Sequence, residues 1–131
     1  MPADLYRSPI PEQLWERIRN EFDLPSLEQV RERFSAMYED PEPVMRQVVR
    51  VFMDGGTYCP GYQFESDLTL NPVVVALFER AMELRIPHNY FALWIMVPSP
   101  ALHGSRPVDL RGQDASALLA LLERTFTNVA A

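Results

Sequence analysis

Apolar residues recur along most of this chain with a helical period. In PEQLWERIRNEF, Leu14, Trp15, Ile18 and Phe22 fall at i, i+1, i+4 and i+8, one stripe of an amphipathic helix with polar residues opposite. Pro9 and Pro11 punctuate its entry, and residues 23–25 predict a turn. Ser26, with Glu28 and Gln29 nearby, caps a second helix whose apolar set is Leu27, Val30, Phe34 and Met37. Residues 39–43 break it. Asp40 with Pro41 or Pro43 then opens a third helix through Val44, Val48, Val49 and Phe52, ended by Asp54-Gly55-Gly56.

The period changes next. Residues 57–64 combine aromatic and threonine content with turn residues on both sides, which predicts a short strand or an extended aromatic segment. Such a strand needs a partner. Either residues 49–53 are extended and pair with it across Asp54-Gly55, or a second chain completes the sheet. Helical spacing resumes after Asn71-Pro72, with Val73, Val74, Leu77, Phe78, Ala81 and Leu84 inward, and Ile86-Pro87 stops it. Further helices are expected over 89–97 and about 114–126, the last with Leu118, Leu119, Leu121, Leu122 and Phe126 on a wide apolar face. The expected fold class is mostly α, a small helical domain with a short strand or hairpin near residues 49–64.

Residues 91–110, FALWIMVPSPALHGSRPVDL, hold the most specific local pattern. Leu93, Trp94 and Val97 recur at helical spacing, and Pro98 and Pro100 end that helix by removing donors and pushing Val97 and Ser99 into extended conformations. Gly104 stands where a left-handed turn residue is expected, and Pro107 where the next helix begins. The order W-x-x-x-P-x-P-A-L-x-G-x-x-P-x-D-L resembles the toxin-binding domain of Xre/MbcA/ParS-type antitoxins, on Trp94, Pro98, Leu102, Gly104, Pro107 and Leu110. YCPGYQFE, residues 58–65, is similar to the aromatic strand that precedes the helical part in one branch of such proteins. The resemblance spans residues 56–127. His103 departs from it where glycine is usual, and Arg111-Gly112 replaces an apolar continuation.

The resemblance implies a protein that binds and restrains a partner, with no catalytic residue. The implied partner is a RES-type toxin, which consumes NAD⁺, reached by the region near the C-terminus. Arg106, Asp109, Leu118, Leu122, Phe126 and Val129 are the candidate contact residues. The leucine-rich face is wider than one partner helix requires, which also leaves room for a homodimer. In domain terms, residues 1–54 form an N-terminal helical region in the place of a helix-turn-helix, and 55–131 the antitoxin-like domain. The stretch SLEQVRERFSAMY lacks the glycine turn of a helix-turn-helix, and its polar face is acidic.

Charge bears on the same question. Net charge is −6, and residues 1–54 carry eleven acids against seven arginines, which weighs against nucleic acid because duplex affinity comes largely from neutralising phosphates. The alternative, an autorepressor of its own operon, needs Arg7, Arg17, Arg19, Arg31, Arg33, Arg46 and Arg50 gathered on one face. An adaptor or immunity-like protein using the same domain on another partner is a further alternative. All twelve basic residues are arginine, a pattern that GC-rich coding explains without phosphate binding. No apolar run approaches the roughly 18 residues of a membrane span, and the start lacks a basic segment followed by an apolar one, so a soluble cytoplasmic protein without a membrane partner is expected. A single cysteine, Cys59, forms no intrachain disulfide and suits a reducing compartment.

Candidate chemistry is sparse. Cys59 has no histidine near it in sequence and reads as buried. His88 and His103 follow no ligand spacing, and neither CxxC nor HExxH occurs, so no metal or cofactor is expected. Asp54-Gly55-Gly56 lacks the context of a phosphate cradle and reads as a turn. Arg106 and Asp109 flank the first turn after the glycine corner, where the carboxylate gains from a helix N-terminus and can tether the arginine.

Overall fold

Short-range chemistry sets the helix starts in the computed structural model, which describes residues 12–53 and 55–130, without the side chains of residues 12 and 127–130. Helix α1 (Glu12–Phe22) buries Leu14, Trp15 and Ile18, and Asp23 ends it in a left-handed conformation at φ +81°. Ser26 caps α2 (Leu27–Met37) through a reciprocal box: its Oγ accepts from Gln29 N–H at 3.2 Å, and Ser26 N–H donates to Gln29 Oε1 at 2.9 Å. Asn71 caps α4 (Pro72–Glu83), its Oδ1 accepting from the N–H groups of Val73 and Val74 at 3.0 Å. Pro9, Pro11, Arg7, Asp54, the Val129 side chain and residue 131 lie outside the described residues.

The third helix is shorter than its apolar spacing predicts. Helix α3 covers Glu42–Met45, and the chain turns before strand β1 (Val51–Met53). The β-branched run Val48, Val49, Val51 favours extended backbone here, and burial of all three rewards it. β1 pairs antiparallel with β2 (Gly56–Tyr58), in the register Val51↔Tyr58, Phe52↔Thr57 and Met53↔Gly56. The intrachain hairpin is therefore the alternative that forms. Its second strand ends at Tyr58 rather than running to residue 64: Pro60 leads into a 3₁₀ turn at Gly61–Gln63, and Phe64 makes an isolated bridge with Leu70.

Helix α5 (His88–Met96) is buried on nearly every side, as its apolar composition requires. Val97, expected on its inward stripe, is instead the extended C-cap and 44% exposed. Two 3₁₀ turns follow, Pro100–Leu102 and Pro107–Leu110, before α6 (Ser116–Ala130). One core joins α1, β1, Tyr62, α4, α5, Val108 and α6; a smaller one holds Val30, Phe34, Met45, Val48 and Cys59 beneath α2 and α3. The division at residue 54 thus falls between two paired strands, and α1 shares its core with the helices of the C-terminal half.

Candidate functional site

The corner after α5 is built from conformations that its residues set locally. Val97 and Ser99 are extended before their prolines, and Ser99 Oγ accepts from Ala101 N–H at 3.3 Å. His103 takes the left-handed conformation at φ +56°, followed by Gly104 at φ +87°. The histidine thus adopts the backbone that glycine takes more cheaply. Trp94 and Pro107 are buried, Leu102 and Leu110 half-buried, and Pro98 exposed, so the motif residues mainly shape the corner.

Arg106 and Asp109 form a tether. Arg106 N–H donates to Asp109 Oδ2 at 3.3 Å, and its guanidinium reaches both Asp109 oxygens at 2.9 and 3.0 Å. The same guanidinium bonds both carboxylate oxygens of Glu21, 85 residues earlier, at 2.9 and 3.1 Å. The hydrogen bonds from Arg106 hold the Asp109 carboxyl below the usual carboxylate range, and those to both acids raise the guanidinium. Arg111 donates to Val108 O at 3.0 Å and lies 4.9 Å from the Phe22 ring centre, a cation–π contact in place of the apolar continuation. These residues with Glu65 and Asn71 line an open groove of about 570 Å³.

The apolar candidates on α6 do not form an outward face. Leu118, Leu122 and Phe126 are buried in this chain's own core, along with Leu121, where α6 packs beside α4. Beside it, Arg80 of α4 donates to Glu123 of α6 at 2.8 Å. Large apolar side chains that do face outward include Met37, Tyr38, Phe52, Leu68 and Val97.

Two carboxamides that sequence reasoning passed over organise the hairpin. Gln63 is 1% exposed; its Oε1 accepts from Val49 N–H at 2.7 Å, and its Nε2 donates to the carbonyls of Val49 and Pro60 at 3.0 and 2.9 Å. Asn89 does the same for Phe52: the N–H donates to Asn89 Oδ1 at 2.8 Å, and Asn89 Nδ2 donates to the Phe52 carbonyl at 3.0 Å. A polar residue inside an aromatic run was the available signal for Gln63, but its partner lies 14 residues away.

The remaining titratable candidates are structural in their setting. Burial pushes the Cys59 thiol up to about 11, against the opposing influence of Arg50 and Arg33, which leaves little thiolate near neutrality. The Tyr62 hydroxyl is buried without a partner among the described residues, and burial raises its phenol. No group of three His, Cys, Asp or Glu side chains among the described residues is placed to hold a metal ion. Of the seven arginines in residues 1–54, Arg19 pairs with Glu16 and Arg31 with Glu42. Helix α3, at four residues, is shorter than a recognition helix.

Fold and site together define a small mostly helical protein with a two-stranded hairpin and an ion-paired corner, and no helix among the described residues is long and apolar enough to cross a membrane. Neither a family model nor a solved structure matches the chain. A shikimate kinase from Aromatoleum aromaticum is 40% identical over 50 residues, which is 37% of this chain and 29% of that protein. The chain therefore spans under a third of the curated relative it matches.

Proposed function

We propose that the chain is a binding protein of the antitoxin type, which neutralises a cognate toxin by direct contact and carries out no reaction of its own. The observation that supports this most is the corner of residues 94–110. Its resemblance to toxin-binding domains rests on residue order, and the backbone meets each demand of that order: helix stop, left-handed pair, proline-started turn, and an aspartate bonded back to the turn's first residue. The partner class the resemblance implies is a RES-type toxin. The partial relative covers too little of either protein to carry a kinase reading to this chain.

Burial of Leu118, Leu122 and Phe126 moves the proposed contact to the segment beyond them, residues 127–131, with Arg106 and Asp109 holding the corner. The test is co-expression of the full chain, and of a version lacking residues 127–131, with the product of the adjacent gene. The cut keeps Phe126 in the core and the bond from Thr125 Oγ1 to Leu121 O at 2.8 Å. The full chain should restore growth and co-purify with the toxin, and the shortened one, still folded by circular dichroism with only the last turn of α6 removed, should do neither. A full chain that leaves growth arrested and binds nothing encoded beside it refutes the antitoxin reading; a shortened chain that still protects relocates the contact.

A further inference from the structure

His88 opens α5 and wedges its ring between β1 and α4, 5.4 Å from the Phe52 ring and 5.2 Å from the Phe78 ring, centre to centre. The residue is half-buried, and its Nδ1 is shut from solvent without a hydrogen-bond partner among the described residues. Pro87 before it supplies no capping side chain, so the ring also stands at the positive end of a nine-residue helix. The next residue, Asn89, is the one that bonds both backbone groups of Phe52. The clasp on β1 and the ring under it therefore occupy one turn of helix.

That ring suits only the neutral form. A proton makes both nitrogens N–H donors, and at Nδ1 the new charged donor is shut from solvent with no hydrogen-bond partner among the described residues. β1 faces the ring with Phe52 and, just before the strand, Arg50; α4 faces it with Phe78. A backbone hydrogen bond with Arg50 favours the charged ring, but burial and then the Arg50 guanidinium outweigh it and hold the imidazole below its ordinary 6.5. The neutral ring is thus the form that folding selects, and its contribution is complete above that value and declines as pH falls beneath it.

We propose that His88 and Asn89 form an acid-operated latch: a proton on His88 drives the ring from between Phe52 and Phe78, and Asn89, on the same turn, lets go of the Phe52 backbone and the edge of β1. The rest of α5 is held by the core through Phe91, Ile95 and Met96, so the opening is local.

Amide exchange by NMR on the full chain, corrected for the intrinsic rate, tests this. Between about pH 7 and about pH 5 the Phe52 amide should lose protection, by at most about tenfold per pH unit in the interval below the ordinary histidine value and above that of the latched ring, while Ile95 in the middle of α5 keeps its own. His88→Gln, which cannot titrate, should hold Phe52 protection constant over the same interval. Unchanged Phe52 protection in the natural chain, an equal fall at Ile95, or the same acid loss in the variant each overturns the latch. Should the variant fail to fold, titration of the His88 ring in the natural chain decides: a midpoint below that of the urea-unfolded chain supports it, and one at or above refutes it.

Discussion

Gly61 is required for its lack of volume. A Cβ on it would be driven into the backbone carbonyl of Phe22, which cannot swing aside as a side chain can, and Gly61 N–H donates to Asp23 O at 2.9 Å in the same tight approach. Gly104 has the opposite character: open space surrounds it, and its φ of +87° is the constraint. Gly61→Ala should therefore cost at least the ~1–3 kcal/mol of a forced overpacking, whereas Gly104→Ala should cost about the ~1–2 kcal/mol of one left-handed residue. Urea melts of the two variants check the order, and a milder loss at Gly61 sinks the contact argument. Gln63 is demanding in another way. Gln63→Leu keeps the bulk but strands the Val49 N–H and carbonyl, about 1–3 kcal/mol for each group left unmade in the interior. A melting temperature equal to that of the natural chain would mean that the pair is satisfied otherwise.

Between elements, the Arg106 guanidinium ties α1 to the turn that starts at Pro107. Its side chain is 19% exposed, and it pairs with Glu21 in the two-pronged geometry that arginine alone offers. Arg106→Ala should lower stability by about 1 kcal/mol, the upper end for partly exposed networks, and Arg106→Lys should recover little of it. Asp109 sets the pH sign. Its carboxyl is held down in the fold by Arg106, so its contribution is whole above the ordinary carboxylate range and is lost as acid protonates it. The stability difference between the natural chain and Asp109→Asn should accordingly shrink from neutral pH toward about pH 3; a gap that stays constant would assign the loss to shape instead of charge.

Across the whole molecule, charge balance carries the expectation that duplex nucleic acid is not the partner. The chain is net −6, and Arg19, Arg31, Arg80 and Arg106 already face carboxylates. At physiological salt it should show no sequence-discriminating affinity for its own upstream DNA, and binding tighter than about 1 µM that survives random competitor would reinstate the autorepressor. The sequence made legible what neighbours in the chain decide: the caps at Ser26 and Asn71, the proline stop after α5, the left-handed Gly104, the Arg106–Asp109 pairing. Features that need a distant partner stayed hidden. A wide leucine face looks the same whether a second protein covers it or this chain's own core does, and Gln63 has no sequence neighbour that declares Val49 as its mate. Apolar spacing from Val44 to Phe52 fits a helix as well as a turn and a strand until tertiary packing selects among them.

The hairpin's two carboxamides also set how other proteins can approach. Asn89 presents to Phe52 of β1 the donor and acceptor of a peptide bond, and Gln63 does the same for Val49, two residues before the strand. An incoming extended segment would have to evict Asn89 before pairing with Phe52, so at neutral pH the β1 edge resists lengthening by a guest strand or by another copy of itself. On that edge a partner is left to recognise the chain by its side chains, in three dimensions.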